Sequence, residues 1–151
     1  MAKLNKAYIE KLMETVNTSP FPNHLRMRLV SISLDQATVK LETGQCHLQP
    51  FGIVHGGVMA TLIDTATFWS AFLRLPEDDG LVNIDLKLNY LKSIVSGVIT
   101  AEGRCIRAGR SISYAEASVM DKEGSLIAHG TSTLMVLQGK GIHLDAKKFL
   151  D

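Results

Sequence analysis

Apolar and polar residues alternate along most of this chain, and the places where alternation stops mark its other elements. The pattern is clearest from Leu81, where Val82, Ile84, Leu86, Leu88 and Tyr90 share one face and Asn83, Asp85, Lys87 and Asn89 the other. Side chains of a strand point alternately to its two faces, so this predicts one half-buried strand. Two earlier runs, HLRMRLVSISL and QATVKLET, meet at Asp35-Gln36 and read as a hairpin. Three later runs, Gly97–Ile106, Ser111–Met120 and Leu126–Leu137, are separated by turn-forming residues at Ala108-Gly109 and Asp121–Gly124.

Two segments break the alternation. From Lys3 to about Val16, Leu4, Ala7, Tyr8, Leu12 and Met13 recur at helical spacing, which predicts a short amphipathic helix that Ser19-Pro20-Phe21-Pro22 terminates. The second segment, VHGGVMATLIDTATFWSAF from Val54 to Phe72, predicts a long helix over Gly56–Leu73. Residues 138–151 form a tail with mixed charge and no assigned element. The order is therefore helix, two strands, long helix, four strands, without repeats or linkers, over residues 1–151 as one domain. Consecutive strands predict an α+β class with an antiparallel sheet and the long helix on one face. The opposite face and the sheet edges predict self-association.

Charge and composition narrow the partners. With 16 basic and 15 acidic residues the formal charge is +1, and no basic stripe interleaved with aromatics occurs, which argues against nucleic acid. Asp64 interrupts the longest apolar run, and the opening MAKLNKAYIEKLMETVN has no apolar leader core. No membrane association and a cytoplasmic location are expected. Cys46 and Cys105 have no metal-ligand spacing and are expected to be buried free thiols. His24, His47, His129 and His143 are scattered, so no metal site is expected, and neither a dinucleotide nor a P-loop motif is found.

Asp64 sits strangely in its helix. Wound at 100° per residue, Val58, Leu62, Ala66, Trp69 and Leu73 form an apolar stripe for the sheet. The other face carries Gly57, Ala60, Thr61, Asp64, Thr67, Phe68 and Ala71, which are mostly too small and too uncharged for a solvated helix face. A carboxylate there is half-buried and has its pKa raised by desolvation, as suits a general base or nucleophile. At the helix start, Gly56-Gly57 either shapes a tight turn or exposes unpaired amides to a developing negative charge. Asp64 lies seven residues after Gly57, about 10 Å along the same helix, too far for both to act on one carbonyl within one chain. Two such helices side by side in a dimer would bring the parts together.

These residues, Gln49-Pro50, His55-Gly56-Gly57 and Asp64, resemble the signature of the hotdog-fold thioesterases of the phenylacetate-degradation (PaaI-like) type, and the resemblance runs from about Pro20 to Leu137. It implies a hydrolase of acyl- or aryl-coenzyme A thioesters acting as a homodimer or a dimer of dimers, with coenzyme A as part of the substrate and no cofactor. By the same resemblance, Gly57 and Gly56 offer backbone N–H groups to the thioester oxygen, and Asp64 of the facing subunit acts as nucleophile or as base for water. Gln49 positions the thioester or the water, and His55 orients the substrate without acting as a base. Asn83 stands where some members hold the water with Ser, and Phe68 stands where others carry Ser or Thr, which suggests an apolar acyl pocket lined by Phe68 and Phe72. The turn containing Arg107, Gly109, Arg110 and Ser111 matches the family's coenzyme A site; its alternative reading is a β-bulge with solvated arginines. Lys92 is a further basic candidate. Two other functions on this fold are an acyl-coenzyme A-sensing module and a hydratase or dehydratase, although the latter pairs a helix-facing histidine with its acid and none is available here.

Overall fold

The computed structural model describes residues 3–150. Six strands form one antiparallel sheet in the order β2-β3-β5-β6-β7-β4, with β2 at Met27–Ser33, β3 at Gln36–Glu42, β4 at Gly80–Tyr90, β5 at Val98–Ala108, β6 at Ile112–Met120 and β7 at Leu126–Leu137. The long helix, α3, spans Gly56–Phe72 and lies across the sheet's inner face, touching β3, β4, β5, β6 and β7.

The sheet accepts the helix because its inner face is trimmed beneath it. Ala101, Ala115, Ala117 and Ala128 are fully buried there, and a Cβ on Gly103 would stand 2.1 Å from the Ala66 carbonyl oxygen. Glycine at 103 is therefore a condition of the close helix–sheet approach. Leu62 and Ile63 on the helix are wholly buried, each adding roughly 1.5–3 kcal/mol of transfer free energy.

The N-terminal helix is α1, Lys6–Thr18, capped by the Asn5 side chain, which accepts the Ala7 N–H. Pro20 and Pro22 end it, but they do not end helical structure: Pro20–His24 forms a second short helix, α2, with Pro20 at its first position, where a proline's missing N–H costs nothing. The Asn17 side chain bonds both backbone groups of Leu29, at 3.0 and 2.8 Å, and so occupies the outer edge of β2 at its bulge. Among the described residues, no side chain bonds the outer edge of β4, eleven residues long, in this way.

Four expectations are corrected. The alternation in β4 is not uniform: a bulge between Asn83 and Asp85 reverses its phase, so Leu81, Asn83, Leu86 and Leu88 turn inward while Val82 and Ile84 are exposed. Thr67 and Ala71, placed by helical winding on the open face of α3, are buried, because the sheet curls around more of the helix than one stripe. The unassigned tail packs: Phe149–Leu150 (β8) pairs with Lys3–Leu4 (β1), and the Lys148 side chain enters the core. Its Nζ donates to the carbonyls of Phe72 and Leu75 at 2.9 and 2.8 Å, closing the C-terminal end of α3. Cys46, expected to be buried, is exposed, because the short turn Gln45–His47 points His47 inward instead; Cys105 is buried as expected, and both are free thiols. Among the described residues, no helix is long and apolar enough to cross a membrane.

Candidate active site

Helix α3 carries the candidate chemistry in two places. At its start, His55 is the N-cap: Nδ1 accepts the Gly57 N–H at 2.7 Å, and its carbonyl accepts the Val58 N–H at 2.9 Å. An acceptor Nδ1 puts the proton of a neutral ring on Nε2. The Gly57 amide, expected to face a thioester oxygen, is thus already committed to His55. A Cβ at Gly57 would lie 2.9 Å from His55 Nδ1, so the glycine makes room for the cap.

The loop before the helix is firmly tied down. His55 N–H bonds the His47 carbonyl and Val54 N–H the Ile94 carbonyl, each at 2.8 Å. His47 itself is buried, taking the Gly44 N–H on Nδ1 at 2.8 Å and facing the Leu25 carbonyl with Nε2 at 2.8 Å, a purely architectural role. Gln49 turns its Oε1 to the Phe51 N–H. Gln49 and Gly56 line one cavity of about 380 Å³ together with Met59, Tyr90 and Ile94. Lys92 reaches the same cavity but is held in an ion pair with Asp121 at 2.8 Å.

Asp64 lies two turns further on and lines a different cavity, of about 540 Å³. The residue is half-buried, and among the described residues no donor or cation reaches its carboxylate. Desolvation by burial therefore raises its pKa unopposed. Only its backbone is held: the Asp64 carbonyl accepts from Thr67 Oγ1 at 3.0 Å and from Asn83 Nδ2 at 3.3 Å. Asn83 also donates to Ser132 Oγ at 2.8 Å. Within the chain, Asn83 braces α3 against the sheet and does not meet the Asp64 carboxylate.

The remaining expected residues separate. Phe68 lines the Asp64 cavity, but Phe72 does not: it is 2% exposed, packed against Trp69, with Lys148 Nζ 4.6 Å from its ring centre. The hairpin joining β5 to β6 is closed by Gly109 N–H to the Ile112 carbonyl at 3.0 Å, and a Cβ at Gly109 would stand 2.4 Å from that oxygen. Arg107, Arg110 and Ser111 are exposed there, and neither arginine has an ion-pair partner among the described residues. Gly109 and Arg110 line a cleft with Leu75 and Pro76, at the end of α3 opposite to Gly56. A helix of 17 residues is about 25 Å long, so one chain does not join the hairpin to the Gly56 turn.

What sequence reasoning missed is the other wall of the Asp64 cavity. Thr15, Val16, Ser19, Phe21 and Pro22, from α1 and α2, face it. The only signal available was the pair of prolines, which reads as a helix stop.

A six-stranded antiparallel sheet wrapped on one long helix is the hotdog fold. The thioesterase superfamily model matches residues 51–128, which include the helix entry, α3, β4, β5 and β6, and the chain belongs to that superfamily. It is similar to a 1,4-dihydroxy-2-naphthoyl-CoA hydrolase of Listeria monocytogenes, with 29% identity over 110 residues covering 73% of this chain and 89% of the relative. A crystal structure of a thioesterase from Haemophilus influenzae superposes with a TM-score of 0.82 at 26% identity, over 95% of this chain and all of that one. A thioesterase family protein from Silicibacter pomeroyi shares the fold, with a TM-score of 0.79 at 24% identity over 87% of this chain and 99% of its own.

Proposed function

We propose that this protein hydrolyses acyl- or aryl-coenzyme A thioesters in a site shared by two copies of the chain. The observation that carries the reading is the split of the candidate residues: Gln49 and Gly56 line one cavity and Asp64 another, two turns along the same helix. Superfamily membership and the hydrolase relative support the reaction class.

Pairing of the uncovered β4 edges in a dimer closes the gap. An antiparallel pair centred between Leu86 and Lys87 sets Tyr90 opposite Asn83 of the partner subunit. Tyr90 lies against Gly56, whose Cβ would stand 3.0 Å from that ring, and Asn83 touches Asp64. The Gly56 turn of one chain thereby meets the Asp64 region of the other. The same antiparallel arrangement carries the β5–β6 hairpin, with Arg107, Arg110 and Ser111, to the partner's half of the assembly, where its arginines pair with coenzyme A phosphates.

In this reading the thioester oxygen takes hydrogen bonds from the first-turn amide at Gly56 and from His55 Nε2–H, with the helix dipole behind them. Gln49 orients the thioester. Asp64 removes a proton from a water as that water's oxygen bonds to the carbonyl carbon; the C–S bond then breaks and the coenzyme A thiolate takes up the proton. A desolvated carboxylate is the stronger base for this step. Coenzyme A enters as part of the substrate, and the step needs no cofactor. The test is free-thiol release from a panel of coenzyme A thioesters by wild type and Asp64→Ala: turnover that vanishes in the variant supports the reading, and turnover that persists removes Asp64 from the chemistry.

A further inference from the structure

The cavity that holds Asp64 is built from more than α3. One wall is the corner between α1 and α2, where Val16, Ser19 and Phe21 face Asp64, Phe68 and Trp69. Its size, about 540 Å³, falls within the range of roughly 300–1,000 Å³ of small-molecule pockets. Given the hydrolase reading above, we propose that this corner and the Asp64 face of α3 enclose the acyl group of the substrate, that this group is uncharged and apolar, and that Phe21 sets the size accepted.

Three observations carry this. The first is that most of the wall offers dispersion contacts: Met27, Leu86 and Ile142 add to the aromatic rings, and Phe68 and Trp69 meet edge to face at 4.8 Å between centroids. Two of the four hydroxyls that line it are spent on their own helices, Ser19 Oγ donating to the Thr15 carbonyl at 2.7 Å and Thr61 Oγ1 to the Gly57 carbonyl at 2.9 Å, which leaves those of Thr15 and Thr65. Ser19 and Thr61 therefore have no donor left for a polar acyl substituent, and no charged donor stands beside them.

The second is electrostatic. Among the described residues no Lys, Arg or His lines the cavity, and Asp64 is the one charged residue that does. An acyl group ending in a carboxylate would stand in a low-dielectric space beside an unpaired like charge, without a cation to compensate.

The third is the placement of Phe21. It sits one residue after Pro20, on the first turn of α2, and is 59% exposed although its ring borders an apolar space. Phenylalanine held by a rigid Pro20-Phe21-Pro22 turn at a cavity rim presents surface that an apolar acyl group covers on binding.

The experiment measures kcat/KM for acetyl-, hexanoyl-, decanoyl-, benzoyl- and succinyl-coenzyme A with wild type, Phe21→Ala and Phe21→Trp. Because Phe21 is mostly exposed, its variants are expected to keep the wild-type Tm, which is checked first. For wild type, hexanoyl- or benzoyl-coenzyme A exceeds succinyl-coenzyme A by about tenfold or more, which is the order that one or two buried methylenes contribute. The better of the aliphatic and aromatic arms identifies the pocket's preference. Phe21→Ala shifts the optimum toward decanoyl, and Phe21→Trp toward acetyl. Wild-type turnover with superimposable profiles in all three proteins, or with succinyl-coenzyme A as good as hexanoyl, overturns the assignment and leaves the hydrolase reading standing. Absence of turnover on every thioester overturns both.

Discussion

Asn83 Nδ2 lies 3.3 Å from the carbonyl oxygen of Asp64 and 2.8 Å from Ser132 Oγ, so one side chain on β4 ties the candidate base's backbone to β7. Ser132 Oγ passes the connection on by donating to the Asp85 carbonyl at 2.9 Å. The β4 bulge makes this possible, since it turns Asn83 toward the helix and leaves Ile84 outside. Asn83 is therefore a positioning residue within the chain.

Asn83→Ala should lower stability by about 1 kcal/mol or more, because part-buried acceptors lose their donor. kcat should fall less than tenfold. Denaturant unfolding beside steady-state kinetics separates the roles; a kcat loss as large as that of Asp64→Ala, at unchanged stability, would mean that Asn83 acts on the substrate or water directly.

If Asp64 is the base, activity and stability should respond oppositely to pH. Its carboxyl, raised by burial, titrates above the ordinary aspartate value of about 3.9. Activity that needs the carboxylate rises along an acid limb whose midpoint lies above that value. The stability contribution is full below the unfolded-state pKa and is lost as pH rises through the folded-state value, since the folded chain holds its proton longer. Asp64→Asn should remove both effects: no acid limb, kcat lower by roughly 10²–10⁴-fold, and a Tm at neutral pH equal to or above wild type.

Lys148 has its pKa lowered to about 8 by burial, against about 10.4 in an unfolded chain. Between those values the unfolded chain binds a proton that the folded one has released, so this group's contribution to stability grows as pH rises and is lost as pH falls through about 8. Compared at the same pH values, Lys148→Met should lack that rise. It should also be less stable by about 2 kcal/mol, because the carbonyls of Phe72 and Leu75 lose their donor.

Arg110→Ala should raise KM for coenzyme A thioesters while leaving a truncated pantetheine thioester little affected, since only the former carries the nucleotide phosphates. Equal effects on both substrates would detach the β5–β6 hairpin from phosphate binding.

Most of the architecture was legible because period-2 and helical patterns survive in single sequences. The six sheet strands and the long helix stand where alternation and its interruption put them, to within a few residues. The bulge in β4 was not legible, because Val82 and Ile84 are apolar although they point outward, and one inserted residue leaves no mark in such a run. Phe72 was misjudged for a related reason: an aromatic one turn past Phe68 fits a pocket as well as a core, and only the packing of Trp69 and Lys148 around it decides. Lys148 itself was invisible, since a lysine in a charged tail normally reads as solvated. Asp64 was the opposite case, a carboxylate among Ala, Thr and Phe whose half-buried state and raised pKa follow from its neighbours.

Subunit complementation tests the two-chain site most directly. Asp64→Ala and the double variant Gln49→Ala/His55→Ala each disable one half of every site in a homodimer. Unfolded together and refolded as an equimolar mixture, they form mixed dimers in which one of the two sites has both halves intact. Thioester hydrolysis, absent from either variant alone, should return to about a quarter of the wild-type rate. A refolded mixture that contains mixed dimers by native mass spectrometry yet shows no more activity than its components would contradict the two-chain site.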